Sequence, residues 1–266
     1  MQSINYIKLG GSVITNKEVP MMVRTEVLSR VVQEIADAQK KTGEMYVIGH
    51  GQGSFAHAPA MRYKTKEGFI MEDSRFGMAI TQDSAAQLNR IVVKEFLSHD
   101  LPAVSYYMSN ALVTKKGVAN KYDGSVFLEY LTQGLMPVSG GDVIVDNAQG
   151  CTIWSTEKVL AHLIEVAVEA KYKVKSIIHV TEVDGVFDNN GKVITKITSE
   201  TKDEVKKSIG QTKGFDVTGG MWHKIEESLA LAEKGITSRI VSGMTSKNVY
   251  SLLVGDTSVL HTEIGK

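Results

Sequence analysis

The first apolar run of the chain ends in Lys8-Leu9-Gly10-Gly11-Ser12, followed by Thr15 and Lys17. A Gly-Gly pair lets backbone N–H groups come close to an anion, and two lysines bracket this turn. Lys8 occupies the last residues of an apolar strand, a costly place for an ammonium unless it meets a negative partner. A later run ends at Ile48 and leads into Gly49-His50-Gly51-Gln52-Gly53-Ser54-Phe55-Ala56-His57. Its glycines leave a row of amides free to cradle a phosphate at a helix start, with His57 projecting from the first turn. Gly51 to Ala56 also satisfies the dinucleotide pattern G-x-G-x-x-A. That unit needs a second strand ending in an acid, and residues 61–76 are charged and irregular instead. No Gly-Lys-Ser/Thr follows, which excludes a P-loop.

Two further segments carry charge. Thr181-Glu182-Val183-Asp184-Gly185-Val186 follows another apolar run, and its acids either face a nucleotide or metal or cap a turn. Asp216-Val217-Thr218-Gly219-Gly220-Met221 opens a helical period with Lys224 three residues beyond. This is either an N-capped helix with an exposed lysine or another phosphate seat. Together the four segments describe a site that holds two phosphorylated molecules.

Short apolar runs position these segments: Ile4 to Leu9, Met45 to Ile48, Ala103 to Tyr107, Pro137 to Ser139, Val143 to Val145, Val174 to Val180 and Ser238 to Val241. Between them, apolar residues recur every three or four positions, as at Val27, Val31, Ile35 and Ala38, or at Ala85, Leu88, Val92 and Phe96. The same period runs through Leu160, Leu163 and Ala167, and through Met221, Ile225, Leu229 and Ala232. Strands alternating with one-sided helices predict an α/β fold, with a mostly parallel sheet covered on both faces. Ligands of open α/β sheets bind beyond the carboxyl ends of the strands, where all four segments fall. The one candidate seam lies near 146–157, where Asp146-Asn147-Ala148-Gln149-Gly150 reads as a turn. Any two lobes therefore share one continuous sheet.

Thirty Lys and Arg balance thirty Asp and Glu over 266 residues, so no overall positive field exists to hold a polyanion. Nucleic acid is not the expected partner. The single cysteine, Cys151, forbids an internal disulfide and a Cys-based zinc site. No stretch approaches the roughly 18 consecutive apolar residues of a membrane span, and the N-terminus lacks a signal-peptide core. A soluble cytoplasmic protein with no membrane partner is expected.

Lys8-Leu9-Gly10-Gly11-Ser12 with Lys17, the His-Gly-x-Gly-Ser-Phe-x-His loop at 50–57, Gly141-Asp142, Val183-Asp184-Gly185-Val186 and Asp216-Val217-Thr218-Gly219-Gly220-Met221 occur in order. In this series the chain resembles the amino acid kinase superfamily, and within it the isopentenyl phosphate kinase family. His57 discriminates most, because relatives that phosphorylate carboxylates or carbamate lack it. Phe76-Gly77-x-Ala79-x-Thr81-Gln82 is similar to the start of the helix flanking the acceptor's hydrocarbon tail. The resemblance implies a three-layer αβα sandwich, with an acceptor lobe over 1–155 and a nucleotide lobe over 156–266. It implies ATP-dependent phosphorylation of isopentenyl phosphate with Mg²⁺, no direct side-chain metal ligand, and a homodimer. Lys8, Gly10, Gly11 and Ser12 would hold ATP phosphates, and Lys17 would stabilise the moving phosphoryl group. Gly53, Glu182, Asp184, Gly220 and Lys224 would serve the nucleotide. Gln52, His57 and Thr156 would contact the acceptor.

The sequence departs from that pattern at Gln52 and Ala56, where glycines are usual, and at Ser155-Thr156-Glu157, where Ser-Gly-Asp is usual. Glu182 likewise stands in place of an aspartate. A left-handed backbone at Gln52 would cost roughly 1–2 kcal/mol. Glu157 is a candidate for orienting the lysines with a longer reach. The neighbouring alternatives are a fosfomycin-type phosphonate kinase and a non-catalytic nucleotide-binding paralogue.

Overall fold

The computed structural model describes residues 3–209 and 220–266. The first half of the chain forms β1 (Ser3–Leu9), α1 (Gly11–Ile14), α2 (Thr25–Thr42), β2 (Met45–His50), α3 (Gly53–Arg62), α4 (Ser74–Ser98) and β3 (Ala103–Ser105). Next come β4 (Leu112–Lys115), β5 (Val118–Tyr122), α5 (Ser125–Thr132), β6 (Met136–Gly140), β7 (Asp142–Asp146) and β8 (Gly150–Trp154). After α6 (Thr156–Glu169) and β9 (Lys173–Thr181) follow three two-residue strands, β10 (Val186–Phe187), β11 (Val193–Ile194) and β12 (Lys196–Ile197). The chain closes with α7 (Lys202–Ile209), α8 (Gly220–Glu233), β13 (Thr237–Ser242), α9 (Asn248–Leu253) and β14 (His261–Ile264).

Eight strands make the main sheet in the order β12-β14-β13-β9-β1-β2-β6-β3, and only β13 and β14 pair antiparallel. Alternation along the strands sorts the core into two layers. In β2, Tyr46 and Ile48 join α2, α4 and α9 on one face, while Met45 and Val47 join α5 and α6 on the other. In β1, Ile7 and Leu9 belong to the first layer and Ile4 and Tyr6 to the second. The same period points Lys8 toward α6, the layer that α8 also covers through Leu231. The expected mostly parallel sheet with helices on both faces is the fold of this chain.

Val143 to Val145 is a strand, but it lies outside the main sheet. It belongs to β7 in a second, four-stranded sheet ordered β5-β4-β7-β8, and the β4, β5 and β8 runs were not anticipated. The turn at Asp146 to Gly150 is the tip of the β7–β8 hairpin. Asp146 fixes that tip: its buried carboxylate accepts from the backbone N–H of Lys116, Gly117, Ala148 and Gln149 and from the Thr114 hydroxyl. No helix among the described residues is long and apolar enough to cross a membrane.

Candidate functional site

Since β1, β2 and β9 run parallel, their carboxyl ends share one edge of the sheet, and two glycine-rich turns leave it side by side. The Gly51 N–H donates to the Leu9 carbonyl at 2.9 Å, and the Gly10 N–H to the Val180 carbonyl at 2.8 Å. A Cβ on Gly11 would fall 2.6 Å from the Gly53 nitrogen, and one on Gly51 would fall 2.7 Å from the Gly11 nitrogen. The two turns are in backbone contact. Thr15 locks them, donating to the Gly11 carbonyl at 2.7 Å and accepting from the Ser54 N–H at 3.0 Å. Gly53 has φ +50°, which its missing side chain allows. Gln52 is right-handed at φ −78°, so the strain expected of a left-handed Gln52 does not arise.

Lys8 is 6% exposed and finds the partner its burial demands: Nζ lies 2.9 Å from Glu157 Oε1. Lys224 Nζ lies 3.6 Å from the same oxygen. Ser155 caps α6 by accepting from the Lys158 N–H at 3.1 Å, which sets Glu157 in the first helical turn, where a carboxylate is favoured. Burial alone would raise the Glu157 carboxyl. Lys8 first, then Lys224, overrule it and hold the group ionised, below the usual carboxylate range. Burial, reinforced by the charge of Lys8, lowers Lys224 against the pull of Glu157.

Lys17 belongs to the opposite layer, on the excursion leading into α2. It is exposed and pairs with Glu182 at 3.5 Å, while Arg24 holds the other oxygen of Glu182 at 3.2 Å. Glu182 thus ties the end of β9 to the segment after α1. Arg24 was not anticipated, and a lone arginine before a helix carries no sequence signal for such a role. Asp184 is half-buried on the same connection. Gly10 caps α1, and Gly11 and Ser12 form its first residues. Gly220 opens α8, while Asp216 to Gly219 lie outside the described residues.

The acceptor-side residues divide. His57 is exposed on α3, at the fifth helical residue instead of the first turn. Thr156 is buried, and its hydroxyl is committed within the protein: it donates to the His50 carbonyl at 2.7 Å and accepts from the Gly141 N–H at 2.9 Å. Gln52 Nε2 donates to the Gly141 carbonyl at 2.5 Å. Behind these contacts lies a small recess lined by His50, Gln52, Ala85, Asn89, Tyr106 and Gly140, among others. Asn89 Nδ2 is 3.1 Å from both the Val138 carbonyl and His50 Nε2. A carbonyl only accepts, so the amide nitrogen must face it, and His50 Nε2 accepts too. Burial keeps that imidazole neutral, lowering it to about 4. Further along α4, Gly77 and Thr81 are covered by Tyr63 and Thr65, and Gln82 donates to the Val143 carbonyl. The recess thus sets polar groups of His50, Gln52 and Asn89 beside the apolar surface of Ala85 and Tyr106.

Two glycine-rich turns in backbone contact, beside two lysines sharing one carboxylate, suit transfer of a phosphoryl group between two anions. The pattern of the amino acid kinase family matches residues 6–242, and this chain belongs to that family. Isopentenyl phosphate kinase of Methanothermobacter thermautotrophicus is 33% identical to it over 263 residues, 94% of this chain and 95% of the relative. Isopentenyl phosphate kinase of Methanocaldococcus jannaschii is 29% identical, covering 95% of this chain and 96% of its own. A crystal structure of isopentenyl phosphate kinase superposes with a TM-score of 0.80 at 28% identity, over 98% of this chain and 99% of that one.

Proposed function

We propose that this protein transfers the γ-phosphoryl group of ATP to isopentenyl phosphate, giving isopentenyl diphosphate and ADP. The observation that carries the reading is the backbone contact between the Gly10-Gly11 and Gly51-Gly53 turns, with the Lys8–Glu157–Lys224 cluster beside it. Residues 156–266, with Lys8 and the Gly10 to Ser12 turn, are the proposed nucleotide side. The rest of 1–155 is the proposed acceptor side, where Gln52 offers its backbone and His57 a hydrogen bond.

The attacking oxygen is already anionic, so the chemistry asks for no strong base. The barrier lies in bringing two anions together, and lysines and fixed amides lower it. Lys17, whose ammonium pairs with Glu182 at 3.5 Å, is the proposed group that would exchange this carboxylate for the moving phosphoryl group. Among the described residues no group of three or more His, Cys, Asp or Glu could cage a metal, and Glu157 is engaged by two lysines. That donor set fits Mg²⁺ carried on the phosphates with water completing its shell. When bound it neutralises phosphate charge. The proposed working form is a cytoplasmic homodimer.

The polar groups that His50, Gln52 and Asn89 bring to this recess are the observation behind a second reading, a fosfomycin-type phosphonate kinase. Purified protein with Mg-ATP is expected to release ADP with isopentenyl phosphate much faster than with fosfomycin. The opposite ranking, or tight ATP binding with no turnover on phosphorylated acceptors, would overturn the proposal. His57→Ala is expected to lower kcat/KM by ~10²-fold, the scale of losing one transition-state donor. Because His57 is exposed, thermal stability should stay at the wild-type value. Unchanged kinetics would remove His57 from the site.

A further inference from the structure

A second carboxyl lies one helical turn from Lys224 and is not used by the mechanism above. Glu227 lies three residues after Lys224 on α8, so the two side chains share one face of the helix. It is half-buried and forms no ion pair among the described residues. From α6 it meets the charges of Glu157 and Lys158, and from β1 that of Lys8. Lys158 is turned elsewhere: its ammonium donates to the Gly117 carbonyl at 2.6 Å and lies 4.5 Å from the centre of the Trp154 ring. His179, beside Lys8 on β9 and facing the same layer, is buried, and burial keeps it neutral, lowering it to about 3. Neither of its ring nitrogens has a hydrogen-bond partner among the described residues. The cluster therefore holds two carboxyls within reach of the charges of Lys8 and Lys224, and of the two it is Glu157 that pairs with them.

We propose that Glu227 is a positioning residue of the nucleotide site, taking one proton from solvent as the phosphates of ATP enter beside Lys8 and Lys224. Uncharged, it stops drawing on the two ammonium groups, which then serve Glu157 and the phosphates. The inference rests on the reading of this cluster as the ATP site. Burial first, then the charge of Glu157, already raise the Glu227 carboxyl to about 7 in the free protein. Incoming phosphate charge raises it further. Above neutrality, binding must then bring a proton in, and nucleotide affinity falls as pH rises.

The experiment is calorimetry of Mg-ATP binding, without acceptor, in two buffers of different ionisation enthalpy. At pH 7.5 the wild type is expected to take up about three-quarters of a proton more than Glu227→Gln, the deprotonated fraction of a group titrating near 7. Between pH 7 and 9 the affinity of the wild type should fall by roughly 25- to 50-fold relative to Glu227→Gln. Glu227→Asp should restore both the uptake and the slope. A helix-packing role alone would leave proton uptake unmoved. Equal uptake in wild type and Glu227→Gln overturns this inference while leaving the ATP site standing. Absence of Mg-ATP binding in the wild type overturns both.

Discussion

Glu157→Ala is expected to lower kcat/KM by about 10²–10³-fold and to cost roughly 3–5 kcal/mol of folding stability. Both effects come from one oxygen. Oε1 lies 2.9 Å from the ammonium of Lys8 and 3.6 Å from that of Lys224, and Lys8 is almost wholly buried. Removing the carboxylate takes from Lys8 and Lys224 the oxygen they share and leaves Lys8, at the end of β1, without its ion-pair partner. The unpaired ammonium then strains the strand end that carries it, and its displacement withdraws charge from the proposed phosphate seat. The stability loss should depend on pH. The Glu157 carboxyl is held below its ordinary range, so its contribution is present above the unfolded value of about 4.3 and lost as pH falls toward the folded one. Urea unfolding of wild type and variant should therefore differ at pH 7, begin to converge only below about pH 4, and meet as pH nears the folded value. Kinetics and stability both unchanged at pH 7 would mean that the lysines do not depend on Glu157.

The strand ends and the glycine turns were legible because their signals are local. A lysine closing an apolar strand, a Gly-Gly pair and three glycines in five positions each state a requirement without reference to distant residues. What satisfies the requirement is not local. Lys8 announces that it needs an anion, yet Glu157 is 149 positions away and was marked only by a departure from a family pattern. The Asn89 amide that fixes the tautomer of His50 sits mid-helix among residues of the same period as the core, and nothing in the sequence sets it apart. The second sheet was missed for another reason. All of β5 but Tyr122 is exposed and the strand reads Val-Ala-Asn-Lys-Tyr, so it lacks the alternation that marks a half-buried strand. Its turn carried half a signal: both turn residues have positive φ, +52° and +73°, and Gly117 is a type that allows this, whereas Lys116 is not.

Gly11→Ala should be as damaging to turnover as the loss of Glu157, by a different route: turnover falls by about 10²-fold because the two turns are forced apart, at a stability cost of roughly 1–3 kcal/mol. Gly11 does not occupy the left-handed region, so alanine meets no backbone penalty of its own. The obstacle is the neighbouring turn. The new methyl would lie 2.6 Å from the Gly53 nitrogen and 2.8 Å from its Cα, both main-chain atoms that no rotamer change can move aside. The turns must separate, and the Thr15 bridge between the Gly11 carbonyl and the Ser54 N–H must lengthen with them. Each turn keeps its own amides, so each substrate still binds. What changes is the distance between the two seats, and in-line transfer is steeply sensitive to an ångström of misplacement. Single-turnover kinetics should show a slowed chemical step, with KM for ATP and for the acceptor each within about threefold of wild type. Were the two Michaelis constants to rise steeply while the single-turnover rate held, the turns would be independent binding loops, and their contact would not set the alignment of the reacting groups.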